Sequence, residues 1–471
     1  MKRPVHLALV WHMHQPEYRD PWSGIAMLPW VRLHAARHYF DMAALAAEHP
    51  DVRQTFNLTP VLLSQLQGEG GGAAERLLAA CRRAVGGGAA GDDREFLLGA
   101  LFMANETRHI ATSPRYRELL SLRGPLAGGL PDSGAAERFS DSDMLDLIAW
   151  FQLSWTSALW PGAGRAAELR LKGRDFSVEE VEWLLDLHLE IARGVVPAYA
   201  SLARRGVAEL STTPFYHPIG PLLLDVGCAH DARPDMILPR RTFHGDRDLA
   251  WHLDEALRQH ERLFGVRPRG MWPAEGGVSD EFAAAAAARG MEWIASDDQV
   301  LRASLHKSGF DDPDAPSPHH AAWRLECGSS IIFRDHELSD LVGFTYGRWD
   351  AEEAAEDLLR RARSAARPAG PPPLVAVILD GENPWEHFSG HGAEFLRALF
   401  RRLEASEDVR AVTVADHLRE HPPRSALRTL RAGSWINHDF AVWAGHAEDR
   451  LAWELLSDAR EAFLAGEALM E

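Results

Sequence analysis

Cysteine is scarce in this 471-residue chain: there are three, Cys81, Cys228 and Cys327. Their odd number and wide separation exclude a disulfide framework and any C-x-x-C metal spacing. Positive charge is in deficit. Lys plus Arg is 50 against 68 for Asp plus Glu, a net charge of −18. A chain this acidic is unsuited to a phosphate backbone or an anionic membrane surface, so no nucleic-acid and no membrane partner is expected. No stretch approaches the ~20 apolar residues of a membrane span. The apolar run at 7–11 is too short for a signal-peptide core, and the expected location is cytoplasmic. Tyrosine is scarce too, six against sixteen tryptophans. That inversion fits either a Trp-rich core or indoles lining a cleft, where flat rings stack on flat ligand faces such as those of sugars.

Hydrophobic residues make up 46% and charged residues 25%, enough for a large folded core. Short apolar runs at 5–11, 52–57, 207–213, 270–272, 292–296, 330–334 and 374–379, with a weaker one at 411–414, read as strands. They alternate with helical stretches, which predicts βαβ units and a parallel sheet. The span from about 61 to 206 has almost no strand signal and reads as a helical insert, with helices at 75–85, 141–159 and 178–204. Ser177 and Glu180 stand in capping-box spacing before the last of these. Glycine-rich stretches at 68–74 and 86–92 read as loops. Beyond about 420 the chain again reads as helical. The expected organisation is a catalytic unit over 1–400 and a mainly helical region over 401–471 that completes the active-site cleft.

Ionisable residues collect where these strands end. They are His12 and His14, His217, Glu275, Asp297 and Asp298, the Arg334–Asp335–His336 cluster, and Asp380 with Glu382. The carboxyl ends of the strands are where α/β barrels and open α/β sheets place their active sites. Glu275 precedes Gly276 and Gly277, a turn that lets a substrate approach closely. Asp380 is delivered by a buried apolar run. Two carboxylates on one rim suit glycoside hydrolysis, one as nucleophile or stabiliser and the other as acid. Competing readings are helix-capping roles for both acids and a structural ion pair for Arg334. The His12-x-His14 pair also has metal-ligand spacing and, with Asp380 and His336, could build a zinc site, though no H-E-x-x-H run is present.

Five segments, in order, resemble glycoside hydrolase family 57, within it the α-amylase and amylopullulanase-like members. The first is His12-Met13-His14-Gln15-Pro16. The second runs from Glu209 through Thr213-Pro214-Phe215-Tyr216-His217 to Ile219. The third is Trp272-Pro273-Ala274-Glu275-Gly276-Gly277, with Pro-Ala where many members have Leu-Pro. The fourth is Leu379-Asp380-Gly381-Glu382-Asn383-Pro384-Trp385-Glu386. The fifth is Ser434-Trp435-Ile436-Asn437-His438-Asp439-Phe440, running on to Trp443 and Trp453. The resemblance implies an incomplete (β/α)7 barrel with a C-terminal helical region and retaining cleavage of α-glucans at α-1,4, with or without α-1,6, linkages. It implies Glu275 as nucleophile and Asp380 as general acid/base. His12, His14, His217, Trp272, Arg334, Glu382, Trp385, Trp435 and Trp443 are the expected substrate contacts. No metal or cofactor is expected, and the partner is an α-glucan polysaccharide or maltooligosaccharide. The alternatives are a 4-α-glucanotransferase or branching enzyme, a zinc-dependent mannosidase-like hydrolase, and a non-catalytic glucan-binding protein.

Overall fold

The computed structural model describes residues 4–68, 74–88, 91–126, 128–129, 131–132, 134–309 and 317–467. The fold centres on β1, Val5–Met13, whose nine residues are all buried. Such continuous apolar strands mark a parallel sheet covered on both faces. In chain order the others are β2 (Gln54–Leu58), β3 (Ala208–Ser211), β4 (Gly270–Met271), β5 (Trp293–Asp297), β6 (Trp323–Leu325), β7 (Ser330–Arg334), β8 (Leu374–Asp380), β9 (Val409–Ala411) and β10 (Ser425–Leu427). The parallel path runs β4-β5-β7-β8-β1-β2-β3. Between β3 and β4 the ladder is broken, and a single bridge, Thr212 to Met271, spans the gap. The molecule is therefore an α/β protein with an incomplete seven-stranded barrel.

The sequence misplaced some borders. The weak run at 411–414 is a strand only to Ala411, because Thr413 caps a helix that starts at Val414. The helix expected over 141–159 ends at Ser154. β6 and β10, three residues each, were not foreseen, being too short to show a period. The region after 420 is less helical than expected: non-helical chain, with one short strand and a turn, runs to Phe440 before helices Ala441–Ala444 and Ala447–Glu467. Pro422 and Pro423 stop the preceding helix, and Gly433 pairs with Val278 on both sides of a bridge. Residues 69–73, 89–90 and 468–471, within the two glycine-rich stretches and the tail, lie outside the described residues. Gly91 opens a helix rather than continuing a loop. No described helix is long and apolar enough to cross a membrane.

The insert between β2 and β3 has its own apolar core. The helix Val178–Arg204, opened by the Ser177–Glu180 capping box, joins it to the barrel. Val181 to Ile191 pack in the insert core, and Ala192 to Leu202 pack against the barrel. A buried ion pair makes a second tie. Arg32 donates to both oxygens of Glu75 at 2.7 and 3.0 Å, and its remaining nitrogen reaches Gln152 and His188, both at 2.9 Å. Removing one partner of such a pair leaves a buried charge uncompensated. Glu75→Ala should cost about 3–5 kcal/mol, read as a lowered midpoint in chemical denaturation.

Candidate active site

Parallel pairing puts His12 of β1 opposite Asp380 of β8 and Asn57 of β2. The Asn57 side-chain oxygen Oδ1 lies 2.7 Å from His12 Nδ1, and its side-chain Nδ2 donates to Ser211 Oγ and the Thr212 carbonyl at 3.1 and 2.6 Å. A hydrogen-bonded row across β1, β2 and β3 thus orients His12, leaving its Nε2 buried without a partner. His14 and His217 complete a stack of imidazoles, with centroids 3.9 Å apart and 21° between planes. His12 lies 5.0 Å from His217 at 24°. Burial, then the neighbouring imidazoles, lowers the His14 pKa to about 3 and holds His217 well below its ordinary value. Both are neutral near pH 7 and can hydrogen-bond to hydroxyls. Near-parallel rings aim their in-plane lone pairs side by side, so the stack is poorly disposed to converge on one metal ion, although one nitrogen from each ring lies within 4.8 Å of the others.

Glu275 stands on the turn that follows β4, at φ 54° and ψ 28°, a left-handed conformation costly for a residue with a Cβ. Two contacts from the C-terminal segment hold it. Trp435 Nε1 donates to Glu275 Oε2 at 2.7 Å, and the Trp435 backbone N–H donates to the Glu275 carbonyl at 3.0 Å. His217 Nδ1 lies 3.8 Å from the other carboxylate oxygen. Burial raises the Glu275 pKa, the Asp380 charge adds to the rise, and the Trp435 N–H and His12 oppose it. Glu382 is only 2% exposed. It accepts from Gln15 at 3.3 Å, and its second oxygen has no partner. Burial, then Asp380, pushes its pKa well above the ordinary carboxylate value, which favours its protonated form.

Two adjoining cavities, of about 440 and 570 Å³, share Glu275, Asp380, Asn383 and Trp435 in their walls. The first is bounded by His12, His14, Trp30 and Glu382, the second by Arg334, His336, Phe344 and His438. Arg334 donates to the Ile378 carbonyl at 2.8 Å and to Asp297 at 3.3 Å, and its guanidinium lies 5.5 Å from the Trp435 ring centroid. Burial works to raise the pKa of Asp297, yet His438, the Gln299 N–H, Arg334 and His336 hold it down to about 2. The structure thus gathers Glu275, Asp380, His12, His14, Arg334, Glu382 and Trp435 around one cleft, with His217, which borders neither cavity, stacked on His14 and 3.8 Å from Glu275.

Three expected contacts lie elsewhere. Trp385 is 1% exposed; its ring packs on Trp11 and Phe388, and its N–H donates to the Gly381 carbonyl at 2.8 Å. It shapes the turn carrying Glu382 and offers no face to a sugar. Trp272 is fully buried beneath Trp435, centroids 5.0 Å apart, and supports that indole. Trp443 borders neither cavity; its carbonyl accepts from Trp453 at 2.9 Å. Trp30, Asn383 and Phe344 border the cleft and were not anticipated. Phe344 is 80% exposed, an oddity for an apolar residue that no sequence period reveals.

A broken parallel barrel with two carboxylates from different strands at its rim defines a glycoside hydrolase. Residues 8–429 match glycosyl hydrolase family 57, and the chain belongs to that family. No curated protein matches it in sequence. Among solved structures, it resembles a GH57-type branching enzyme from Pyrococcus horikoshii, with a TM-score of 0.58 and 15% identity over 95% of this chain and 76% of that one. An α-amylase from Thermotoga maritima gives 0.56 and 15%, over 92% and 77%. A GH57 branching enzyme from Thermococcus kodakaraensis gives 0.55 and 14%, over 96% and 77%. At these identities the likeness is one of fold.

The Trp435 indole N–H stabilises the ionised form of Glu275. Trp435→Phe keeps a ring and removes that donor. The Glu275 pKa should rise further, moving the acidic limb of the kcat/KM profile to higher pH, with a loss of roughly 10–100-fold on the plateau. A pH-rate profile of the variant measures both.

Proposed function

We propose that the chain is a retaining glycosidase of α-glucans. Glu275 attacks the anomeric carbon, and Asp380 protonates the leaving oxygen and then deprotonates the incoming hydroxyl. The observation that carries this reading is the different treatment of two carboxylates on one wall. Glu275 is locked by two bonds from Trp435, in keeping with a nucleophile that must not move. Asp380 borders the same two cavities as Glu275 but, among the described residues, accepts only from the side chain of the exposed Asn383, at 2.9 Å, so its carboxylate is the less restrained of the two. A proton shuttle needs such access to leaving group and acceptor alike. Neutral His14 and His217 supply hydrogen bonds to sugar hydroxyls without adding charge near the oxocarbenium-like centre.

Hydrolysis of α-1,4 bonds is the first reading. Transfer to a sugar hydroxyl is the second, favoured by one observation: the cavity beyond Asp380 has the room and the exposed Phe344 ring to hold an acceptor sugar. The structural relatives are of both kinds, branching enzymes and an α-amylase. Incubation with maltoheptaose separates the two. Reducing ends that rise without longer products mean hydrolysis; longer or branched products at constant reducing ends mean transfer.

Glu275→Ala should abolish turnover with the fold intact, and azide, filling the vacated space, should restore part of the activity and yield a glycosyl azide. Asp380→Asn should cripple natural glucans yet spare the first step for a glucosyl fluoride, whose leaving group needs no proton. An inverted first product by NMR would overturn the pairing.

A further inference from the structure

Behind the first cavity lies a second histidine cluster that the proposed reaction does not use. His34 and His38 stand four residues apart where the helix Trp30–His34 passes into a turn of π-helix, Ala35–Tyr39. This spacing puts both side chains on one helix face, and π-turns recur at functional sites. Both are buried, at 4% and 0% exposure. Their Nδ1 atoms are 2.9 Å apart, and one ligand atom each from His34, His38 and Glu386 lie within 4.8 Å of one another. Here the nitrogens approach far more closely than the ring centroids, which are 5.1 Å apart at 38°. The rings are tilted and joined through these nitrogens by a hydrogen bond, and a cation could take the place of the one proton they share. Tetrahedral zinc with Zn–N bonds of about 2.0–2.1 Å holds its nitrogens about 3.3 Å apart, a few tenths of an ångström from the spacing seen.

The surroundings fit a bound cation. The His38 Nε2 faces His391 Nδ1 at 3.3 Å, the outer-shell contact that fixes the tautomer of a metal-ligating histidine. His391 adopts φ 54° between Gly390 and Gly392, also left-handed, so the chain bears strain to present this imidazole. Trp155 closes the site with its ring edge-on to both histidines, 5.4 and 5.8 Å away.

We infer that His34, His38 and Glu386 bind a divalent transition metal, Zn²⁺, in the wall of the catalytic cavity. His34 and Glu386 both border that cavity, so the fourth position opens toward it and takes water or a sugar hydroxyl. The nearby guanidiniums of Arg37 and Arg170 disfavour a cation held by charge alone. Arg37 is paired with Asp41 at 3.6 Å, and Arg170 donates to the Leu153 and Thr156 carbonyls. Two nitrogen donors against that background select Zn²⁺ over Mg²⁺ or Ca²⁺. The ion ties the first helix to the loop that carries Asp380 and Glu382.

The test reads the metal and is independent of the reaction assignment. Full-length protein stripped by chelation is titrated with CoCl₂ and then ZnCl₂. The expected result is a visible tetrahedral Co²⁺ spectrum, bleached by Zn²⁺, and about one Zn²⁺ per chain after dialysis. His38→Ala and the isosteric Glu386→Gln should abolish the spectrum, and His391→Ala should weaken binding about 10–100-fold. His14→Ala and His320→Ala, in two other histidine clusters, should keep it. Circular dichroism checks each fold; should His38→Ala fail to fold, Glu386→Gln decides. No spectrum and no retained Zn²⁺ in the wild type, or an unchanged spectrum in Glu386→Gln, overturns the inference.

Discussion

The parallel register of β1 against β8 is the constraint on which the site rests. It sets His12 beside Asp380, and the same strand's register with β2 sets His12 beside Asn57. Side chains alternate along a strand, so a slip of one residue would turn His12 into the core and Trp11 into the cleft. Packing forbids the slip. Beyond Asp380 the Gly381 N–H returns to the His12 carbonyl at 2.8 Å, and a Cβ at Gly381 would stand 2.2 Å from the Met13 sulfur. Glycine there lets the two strand ends close together, and Trp385 pins the turn from below.

The second fixed point comes from far along the chain. Glu275 sits in a backbone conformation that would relax if unopposed, and the opposition comes from Trp435, 160 residues on. Gly433 docks on Val278 through paired backbone bonds, and that docking presents the indole. The C-terminal region is thus part of the carboxylate's support. The helical insert is bound in as closely. Its Glu75 pairs with Arg32, on the helix whose end carries His34, and Tyr39, in the turn that follows, donates to the His14 carbonyl at 3.1 Å.

Much of this was legible in the chain. Strand positions follow from apolar runs, because a strand buried on both faces must be apolar throughout. Ionisable residues at their ends mark the rim, since only function repays taking charge to the edge of a core. What escaped was of two kinds. Elements of three residues such as β6 carry too little pattern to read. The direction of an indole is also silent: Trp272, Trp385, Trp435 and Trp443 are alike in the sequence, yet Trp435 alone of the four meets the cleft. Depth in a core depends on neighbours distant in sequence, such as Trp11 beneath Trp385.

Three carboxylates in one cleft pose an electrostatic problem, because like charges in a desolvated space cannot all persist. The fold resolves it by unequal burial and unequal donation. Glu382 faces no cation, and burial and the Asp380 charge outweigh its hydrogen bonds and raise its pKa. Glu275 is drawn upward by the same burial and by Asp380, but the Trp435 N–H pulls against both. Arg334, a cation well placed to neutralise an acid, is instead engaged by Asp297 and Asp340 at the margin of the second cavity. A guanidinium paired directly with Glu275 would stabilise its charge so well that attack on carbon would lose driving force. An indole N–H holds the carboxylate in place and, in the nucleophilic role we propose, spares its reactivity. The neutral imidazoles opposite follow the same logic: a fixed cation there would oppose the positive charge that develops on the sugar ring as the glycosidic bond breaks.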